Sequence, residues 1–266
     1  MKILLTNDDG YQSIGIKVMA EHLLAAGHDV LLVAPHIERS GCGHAMTIGA
    51  PVVLDEVNLG LASDKLRAYS CTGTPTDCVV MGFDVLDSSI EMVISGINQG
   101  PNLADDITYS GTACAAMEGV IFDKPAIAVS LNSKSKDPEK HNETAAEIVL
   151  SVLAWIRENP MRTGVFYNVN VPNVPKNELA GVQVTKKGIR RYVDKITAGE
   201  TADGKPAYWI GGVIEDEMTE GTDVWSIAHG YASITPVHLE MTSFTAYEEN
   251  ERKGMGEKLT AALFRK

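Results

Sequence analysis

The sequence predicts a Rossmann-like three-layer α/β/α architecture with a mostly parallel sheet, plus an appendage of β-hairpin and helical tail at the C-terminus. Three observations predict it. Short apolar runs of strand length end at Gly or Pro. They alternate with longer segments whose apolar residues recur at helical spacing, the pattern of a parallel sheet covered on both faces. At 266 residues the chain can bury one large core with an appendage.

Each element follows from its residues. Lys2–Leu5 is a strand, and Asn7-Asp8-Asp9-Gly10 ends it. Ser13–Ala26 is a helix with Ile16, Met19, Ala20, Leu23 and Leu24 at helical spacing, stopped by Gly27. Asp29–Ala34 is apolar after its first residue, as a doubly covered parallel strand should be, and Pro35 ends it. Pro51–Leu66 is weaker in pattern and reads as strands of an antiparallel excursion. Gly73-Thr74-Pro75 marks the start of a helix over Thr76–Leu86, with Thr74 as cap and Pro75 at the first helical position. Met92–Ser95 is a strand running into Gly96, Thr112–Phe122 a helix, and Ala126–Leu131 a strand. Glu143–Glu158 is a long amphipathic helix with Ala146, Val149, Leu150, Leu153 and Ile156 on one face. Val165–Val171 is a strand closed by Pro172.

The pattern changes from about Val182. Lys195–Gly212 holds Ala202-Asp203-Gly204-Lys205, a hairpin turn between β-leaning runs. Ala232–Pro236 is a late strand, and Glu248–Phe264 is charged and helical. The expected division is a catalytic core over 1–181 and a hairpin and tail region over 182–266. The second region is expected to build a homodimer or homotetramer, while its late strand returns to the core.

Composition excludes several classes. The net charge is −12, and only Lys186, Lys187, Arg190 and Arg191 cluster, so a long nucleic acid has no basic stripe to grip. No run approaches the ~18 apolar residues of a membrane span. Met1-Lys2 leads straight into a strand with no signal-peptide pattern, so a cytoplasmic location is expected. Cys42, Cys71, Cys78 and Cys114 form no C-x-x-C pair and are expected as free thiols. Trp155, Trp209 and Trp225 lie far apart and read as core or interface residues.

Four loops carry candidate chemistry. Asp8 and Asp9 sit at the end of the first strand, on the sheet edge where ligands bind in such folds. Side by side they repel, and a hard divalent cation bridging them would make the pair favourable. Asp9 as a helix cap with Asp8 a solvated turn residue is the alternative. Arg39-Ser40-Gly41-Cys42-Gly43-His44 follows the second strand, and Ser40 offers a neutral oxygen. Ser95-Gly96-Ile97-Asn98-Gln99-Gly100-Pro101-Asn102 follows a third strand to the same edge, where Asn98 offers a carbonyl oxygen and an amide donor. Tyr109-Ser110-Gly111-Thr112 precedes a helix, whose first amides make an anion site, with Thr112 as a plain N-cap the alternative.

Together NDDG, APHIERSGCGHAMT, GTPTDCV and SGINQGPNLADDITYSGTACAAMEG resemble the SurE family of metal-dependent nucleotidases and acid phosphatases, with weaker likeness through Tyr167–Pro172 and Gly230–Pro236. The resemblance implies one divalent metal ion per subunit, Mg²⁺ or Mn²⁺, held by Asp8, Asp9, Ser40 and Asn98. It implies phosphate contacts from Ser110, Gly111, Thr112 and Asn98, and nucleoside 5′- and 3′-monophosphates as substrates. Two positions beside the site depart from the family pattern: Ser13-Ile14-Gly15 stands for Ala-Pro-Gly, and Ala104 for a Gly. The mechanism these residue types suggest is in-line attack by an activated water, with Asp8 or Asp9 accepting its proton. His44 and His238 are candidate acids.

Other readings fit less well. An aspartyl-phosphate phosphatase needs Asp-x-Asp, and position 10 is Gly. A receiver domain is about half this length. A dinucleotide-binding enzyme needs G-x-G-x-x-G after the first strand. A non-catalytic phosphate- or nucleotide-binding protein is the remaining alternative.

Overall fold

A computed structural model describes residues 1–193 and 196–264; Lys195, where the expected hairpin begins, lies outside the described residues. The chain opens with a βαβ unit: β1 (Lys2–Thr6), α1 (Ile14–Ala25) and β2 (Asp29–Pro35). Successive strand side chains point to opposite faces, so Ile3 and Leu5 enter one core and Leu4 the other. A strand apolar on both faces must be covered twice, which makes β1 central.

The chain continues through β3 (Leu54–Glu56), β4 (Leu66–Cys71), α2 (Pro75–Met81) with a π turn over Gly82–Leu86, and β5 (Met92–Gln99). A 3-10 turn over Ala104–Thr108 leads into α3 (Gly111–Ile121), β6 (Ala126–Asn132), α4 (Asn142–Glu158) and β7 (Val165–Pro172). Then come β8 (Gly181–Val184), β9 (Arg190–Val193), β10 (Ile196–Glu200), β11 (Pro206–Ile210), β12 (Val213–Asp216), α5 (Asp223–Ala228), β13 (Tyr231–His238), α6 (Phe244–Arg252) and α7 (Met255–Leu263).

Nine strands form one sheet in the order β3-β4-β2-β1-β5-β6-β7-β13-β8. From β4 to β7 all neighbours are parallel. β3 and β13 are antiparallel to β4 and β7, and β8 runs parallel to β13. α1 and α4 cover one face, burying Ile16, Met19, Leu23, Val149 and Leu153. α2 with its π turn and α3 cover the other, burying Val79, Phe83, Ala113 and Met117. The strand order reverses between β1 and β5. Open α/β sheets bind ligands at such a switch point, outside the carboxyl ends of the strands.

Three expectations are corrected. Only Leu54–Glu56 of the weak stretch is an antiparallel strand. Leu66–Cys71 extends the parallel sheet beside β2, and Arg67, Tyr69 and Ser70 break the apolar run that marks central strands. The N-cap of α3 is Ser110, whose hydroxyl accepts from the Ala113 amide at 3.0 Å, while Thr112 lies inside the helix. Of the core and interface readings for the tryptophans, the core one does not apply to Trp155 and Trp209, which are 60% and 54% exposed, while Trp225 stacks on His229 at 4.0 Å.

In the C-terminal third α5 packs against β13 and β7, whereas the other segments outside the sheet stand apart from it. β10 and β11 pair antiparallel as a hairpin, and β9 and β12 as a ribbon. α6 and α7 contain no buried residue. All four cysteines are free, with Cys71, Cys78 and Cys114 buried. Among the described residues no helix is long and apolar enough to cross a membrane.

Candidate active site

A cavity of about 510 Å³ opens at the switch point, lined by Asp8, Ser40, Asn98, Asn102, Ser110 and others. Its floor is the ends of β1 and β5. Asn7, fully buried, shapes the first loop: its amide donates to the Gly10 carbonyl at 3.0 Å and the Ser13 hydroxyl at 2.8 Å, and its oxygen accepts from the Gly10 amide at 3.2 Å. That closed turn presents Asp8 and Asp9 side by side.

Asp8 is 3% exposed and held by the start of α3. The Thr112 hydroxyl donates to its Oδ1 and the Thr112 amide to its Oδ2 at 3.1 Å. Gly111 makes this approach possible: a Cβ there would stand 2.9 Å from both the Asp8 Cβ and the Cys42 Sγ. Asp9 caps no helix; its Oδ2 accepts from the Gln99 amide of β5 at 3.2 Å. β5 can offer that amide because its register shifts between Ser95 and Asn98.

Burial raises the Asp8 carboxyl above its ordinary range, and the Thr112 bonds offset this only in part. Burial and then the charge of Asp8 push Asp9 up to about 7, against the Gln99 amide. Two adjacent acids that both resist ionisation suit a bound cation, which would relieve the repulsion. Among the described residues there is no group of three or more His, Cys, Asp or Glu arranged to hold a metal. Burial, and then the Asp8 charge, raise the Cys42 thiol, which favours its neutral form. The donors at hand are carboxylate, hydroxyl and amide oxygens, a set for hard cations such as Mg²⁺ or Mn²⁺ rather than for zinc or copper.

The other predicted residues occupy distinct places. Asn98 lines the cavity and donates to the Gly100 carbonyl at 2.7 Å, which leaves its carbonyl end as the ligand it can offer. Ser40 also lines the cavity, with its hydroxyl donating to Glu38 at 2.8 Å. Ser110 lines it at the N-terminus of α3, while Gly111 and Thr112 stand behind Asp8. The Thr112 amide serves Asp8 and the Ala113 amide serves Ser110, so the Ser110 hydroxyl and the Gly111 amide are the donors left near the cavity for an anion.

The candidate acids separate. The His44 ring bonds the buried Glu118 at 2.8 Å and ties down the loop after β2. His238 pairs with Val165, at the opposite edge of the sheet from the cavity. The Thr74–Asp77 segment also ties that loop: Asp77 accepts from the Thr47 amide at 2.9 Å and its hydroxyl at 2.6 Å, and Thr74 donates to the Ala45 carbonyl at 2.7 Å.

The family model described as Survival protein SurE matches residues 3–194. The chain belongs to the SurE family. The protein called 5′-nucleotidase SurE of Kosmotoga olearia is 43% identical over 245 residues, 91% of this chain and 94% of that one. The protein of the same name in Synechococcus elongatus is 38% identical over 257 residues, covering 94% and 98%. The crystal structure of the SurE protein from Aquifex aeolicus superposes with a TM-score of 0.79 at 34% identity, covering 96% of this chain and all of that one.

Ala104 adopts a φ of +52°, a left-handed conformation that suits glycine better. The Asp223 carboxylate holds it there, accepting from the Ala104 amide at 2.8 Å.

Sequence reasoning assigned no role to two parts of the cavity. Asn102 is buried beneath it in a polar net: Asn168 and Asn170 donate to its carbonyl at 2.8 and 3.0 Å, and it donates to Ser130 at 2.9 Å. The outer wall is Asp106, Tyr109, Tyr192, Ile210 and Gly211, the last three from the C-terminal ribbon and hairpin. The one signal for this wall was the basic cluster around Arg190. Burial and the Asp106 carboxylate push the Tyr192 hydroxyl up to about 12, so it remains a donor.

Proposed function

We propose that this protein is a nucleotidase that hydrolyses nucleoside 5′-monophosphates, and 3′-monophosphates as well, to nucleoside and phosphate. The observation that carries the reading is a cavity lined by the buried Asp8 and by Ser110 at the N-terminus of α3, with the half-buried Asp9 next to Asp8, in a chain whose SurE relatives are named 5′-nucleotidases over nearly its whole length. A divalent cation, Mg²⁺ or Mn²⁺, held by Asp8, Asp9, Ser40 and Asn98 would neutralise phosphate charge and acidify a bound water.

The chain's own residues do the rest. The Ser110 hydroxyl and the Gly111 amide hold the phosphoryl oxygens at the positive end of α3. Asn98 reaches the same group from β5 with the amide hydrogen that its bond to the Gly100 carbonyl leaves over. Both Asp8 oxygens already accept from Thr112, while Asp9 accepts from a single amide. Asp9 is therefore the better placed of the two to receive the proton of the attacking water. The nucleoside leaves along the wall of Tyr109, Tyr192 and Ile210. The exposed apolar residues of the hairpin and tail, such as Trp209, Ile210, Phe244 and Leu263, support a homodimer or homotetramer built through that region.

The test is phosphate release from a panel of nucleoside 5′- and 3′-monophosphates, with Mg²⁺ or Mn²⁺ and then with EDTA. Asp8→Asn removes one charge of the pair, and the expected loss is on the order of 10²-fold or more in kcat. Release that survives both EDTA and Asp8→Asn refutes the reading. So does the absence of release from any nucleotide.

A further inference from the structure

The β9–β12 ribbon meets the active site through one buried cation. Arg190, its side chain 6% exposed, points its Nε and Nη2 at the two Asp216 oxygens, at 2.7 and 2.8 Å, and its Nη1 at Asp106 Oδ2, at 2.8 Å. The Tyr192 hydroxyl also reaches the Asp106 carboxylate at 2.8 Å. Asp106 is thus tied to the ribbon by its side chain. Its main chain is tied to the phosphate turn: the Asp106 carbonyl accepts from the Tyr109 amide at 3.0 Å and the Ser110 amide at 3.2 Å. Two neighbouring ties reinforce the junction. Lys187 pairs with Asp105, and Asp223 accepts from both the Ala104 and Gly188 amides.

The arrangement has an electrostatic consequence. Asp106 lines the same cavity as Ser110. An uncompensated carboxylate there would repel a phosphate dianion, in a protein whose net charge is already −12. The guanidinium, shared with Asp216, offsets part of that charge and sets its position, because a planar fork bonded at three points has little freedom to move.

We propose that Arg190 is a positioning residue for the reaction: acting through Asp106, it sets the Tyr109–Gly111 turn that receives the phosphate and offsets part of the carboxylate charge facing the incoming phosphomonoester. The proposal rests on the nucleotidase reading. It makes the C-terminal ribbon part of the catalytic apparatus of its own subunit, whatever the hairpin and tail do between subunits.

The test uses the metal-loaded enzyme and compares wild type, Arg190→Met and Arg190→Lys. The readouts are kcat and KM with a nucleoside 5′-monophosphate and with p-nitrophenyl phosphate, inhibition by inorganic phosphate, Mn²⁺ binding by calorimetry, and thermal melting. In Arg190→Met, kcat/KM should fall by about 30-fold on both substrates alike and inorganic phosphate should inhibit ~10-fold more weakly, as for loss of a preorganised phosphate contact. Mn²⁺ affinity should stay within about twofold, because Arg190 touches no proposed metal ligand. Arg190→Lys keeps the charge and loses the fork, so it should recover part of the phosphate inhibition. If Arg190→Met fails to fold, Arg190→Lys decides, with weaker phosphate inhibition at unchanged Mn²⁺ affinity expected.

A folded Arg190→Met with wild-type phosphate inhibition overturns the proposal. So does a loss confined to the nucleotide, which would make the ribbon a nucleoside wall alone. A wild type that turns over no phosphomonoester overturns the functional reading instead, and shows before any variant is compared.

Discussion

The floor and the outer wall of the cavity are built by different physics. The floor is the ends of β1 and β5, strands buried on both faces, with Asp8 fixed by Thr112 and Asp9 by Gln99. The outer wall is a ribbon and a hairpin largely in solvent, fastened by the Arg190 clasp and a few neighbouring ties. The floor derives its rigidity from the close packing of the core. The wall derives its own from ionic and backbone hydrogen bonds between segments far apart in the chain. Changes in the floor should therefore act on the chemistry, and changes in the wall on substrate fit and assembly, save at the Arg190 clasp, which reaches the phosphate turn through Asp106.

Gly111→Ala should give the largest effect. The added methyl meets the Asp8 Cβ and the Cys42 Sγ at 2.9 Å, and overpacking against a rigid neighbour costs about 1–3 kcal/mol. Because the displaced group is Asp8, phosphate release should fall by on the order of 10²-fold, read from kcat with Mn²⁺ saturating. Wild-type turnover in this variant would break the claim that the floor is rigid.

Asp77→Ala should be intermediate, since Asp77 ties the loop bearing Ser40 to α2 and completes a capping box with Thr74. Loss of the cap and of the Thr47 bonds should lower stability at pH 7 by about 1–2 kcal/mol in urea unfolding. Burial would raise this carboxyl, but the bonds from Thr47 and Thr74 outweigh it and hold it below its ordinary 3.8. A depressed acid stabilises the fold above its unfolded pKa, and that contribution disappears as the pH falls through the folded value. The gap between wild type and Asp77→Ala should therefore be full at pH 7 and narrow below about pH 4. A gap that stays constant down to pH 3 would show that the carboxylate's charge is irrelevant there.

Ile210→Ser should be smallest in stability and sharpest in kind. Ile210 is 86% exposed and still lines the cavity. Melting should shift by no more than an exposed site allows, within about 0.5 kcal/mol. KM for nucleotides should rise a few-fold while kcat on p-nitrophenyl phosphate is unchanged, because only the nucleoside reaches this wall. A fall in kcat on both substrates would erase the distinction between floor and wall.

Much of the floor was legible in the residues. NDDG after an apolar strand, SGINQG after another, and YSGT before a helix each state a local geometry, and a parallel sheet must bring strand ends to one edge. The sequence by itself determined the alternation of strands and helices, the switch-point position of Asp8, Asp9 and Asn98, and the hairpin at Ala202–Lys205. The parallel partner of β2 stayed hidden because Leu66–Cys71 mixes polar residues into a strand near the sheet's margin. Only the tertiary structure decided that Thr112 serves Asp8, that Asn168 and Asn170 support Asn102, and that Arg190 binds Asp106. The reason is physical: local pattern reports periodicity and turn chemistry, whereas a buried hydrogen bond or ion pair exists only once folding brings distant polar groups together and removes their water.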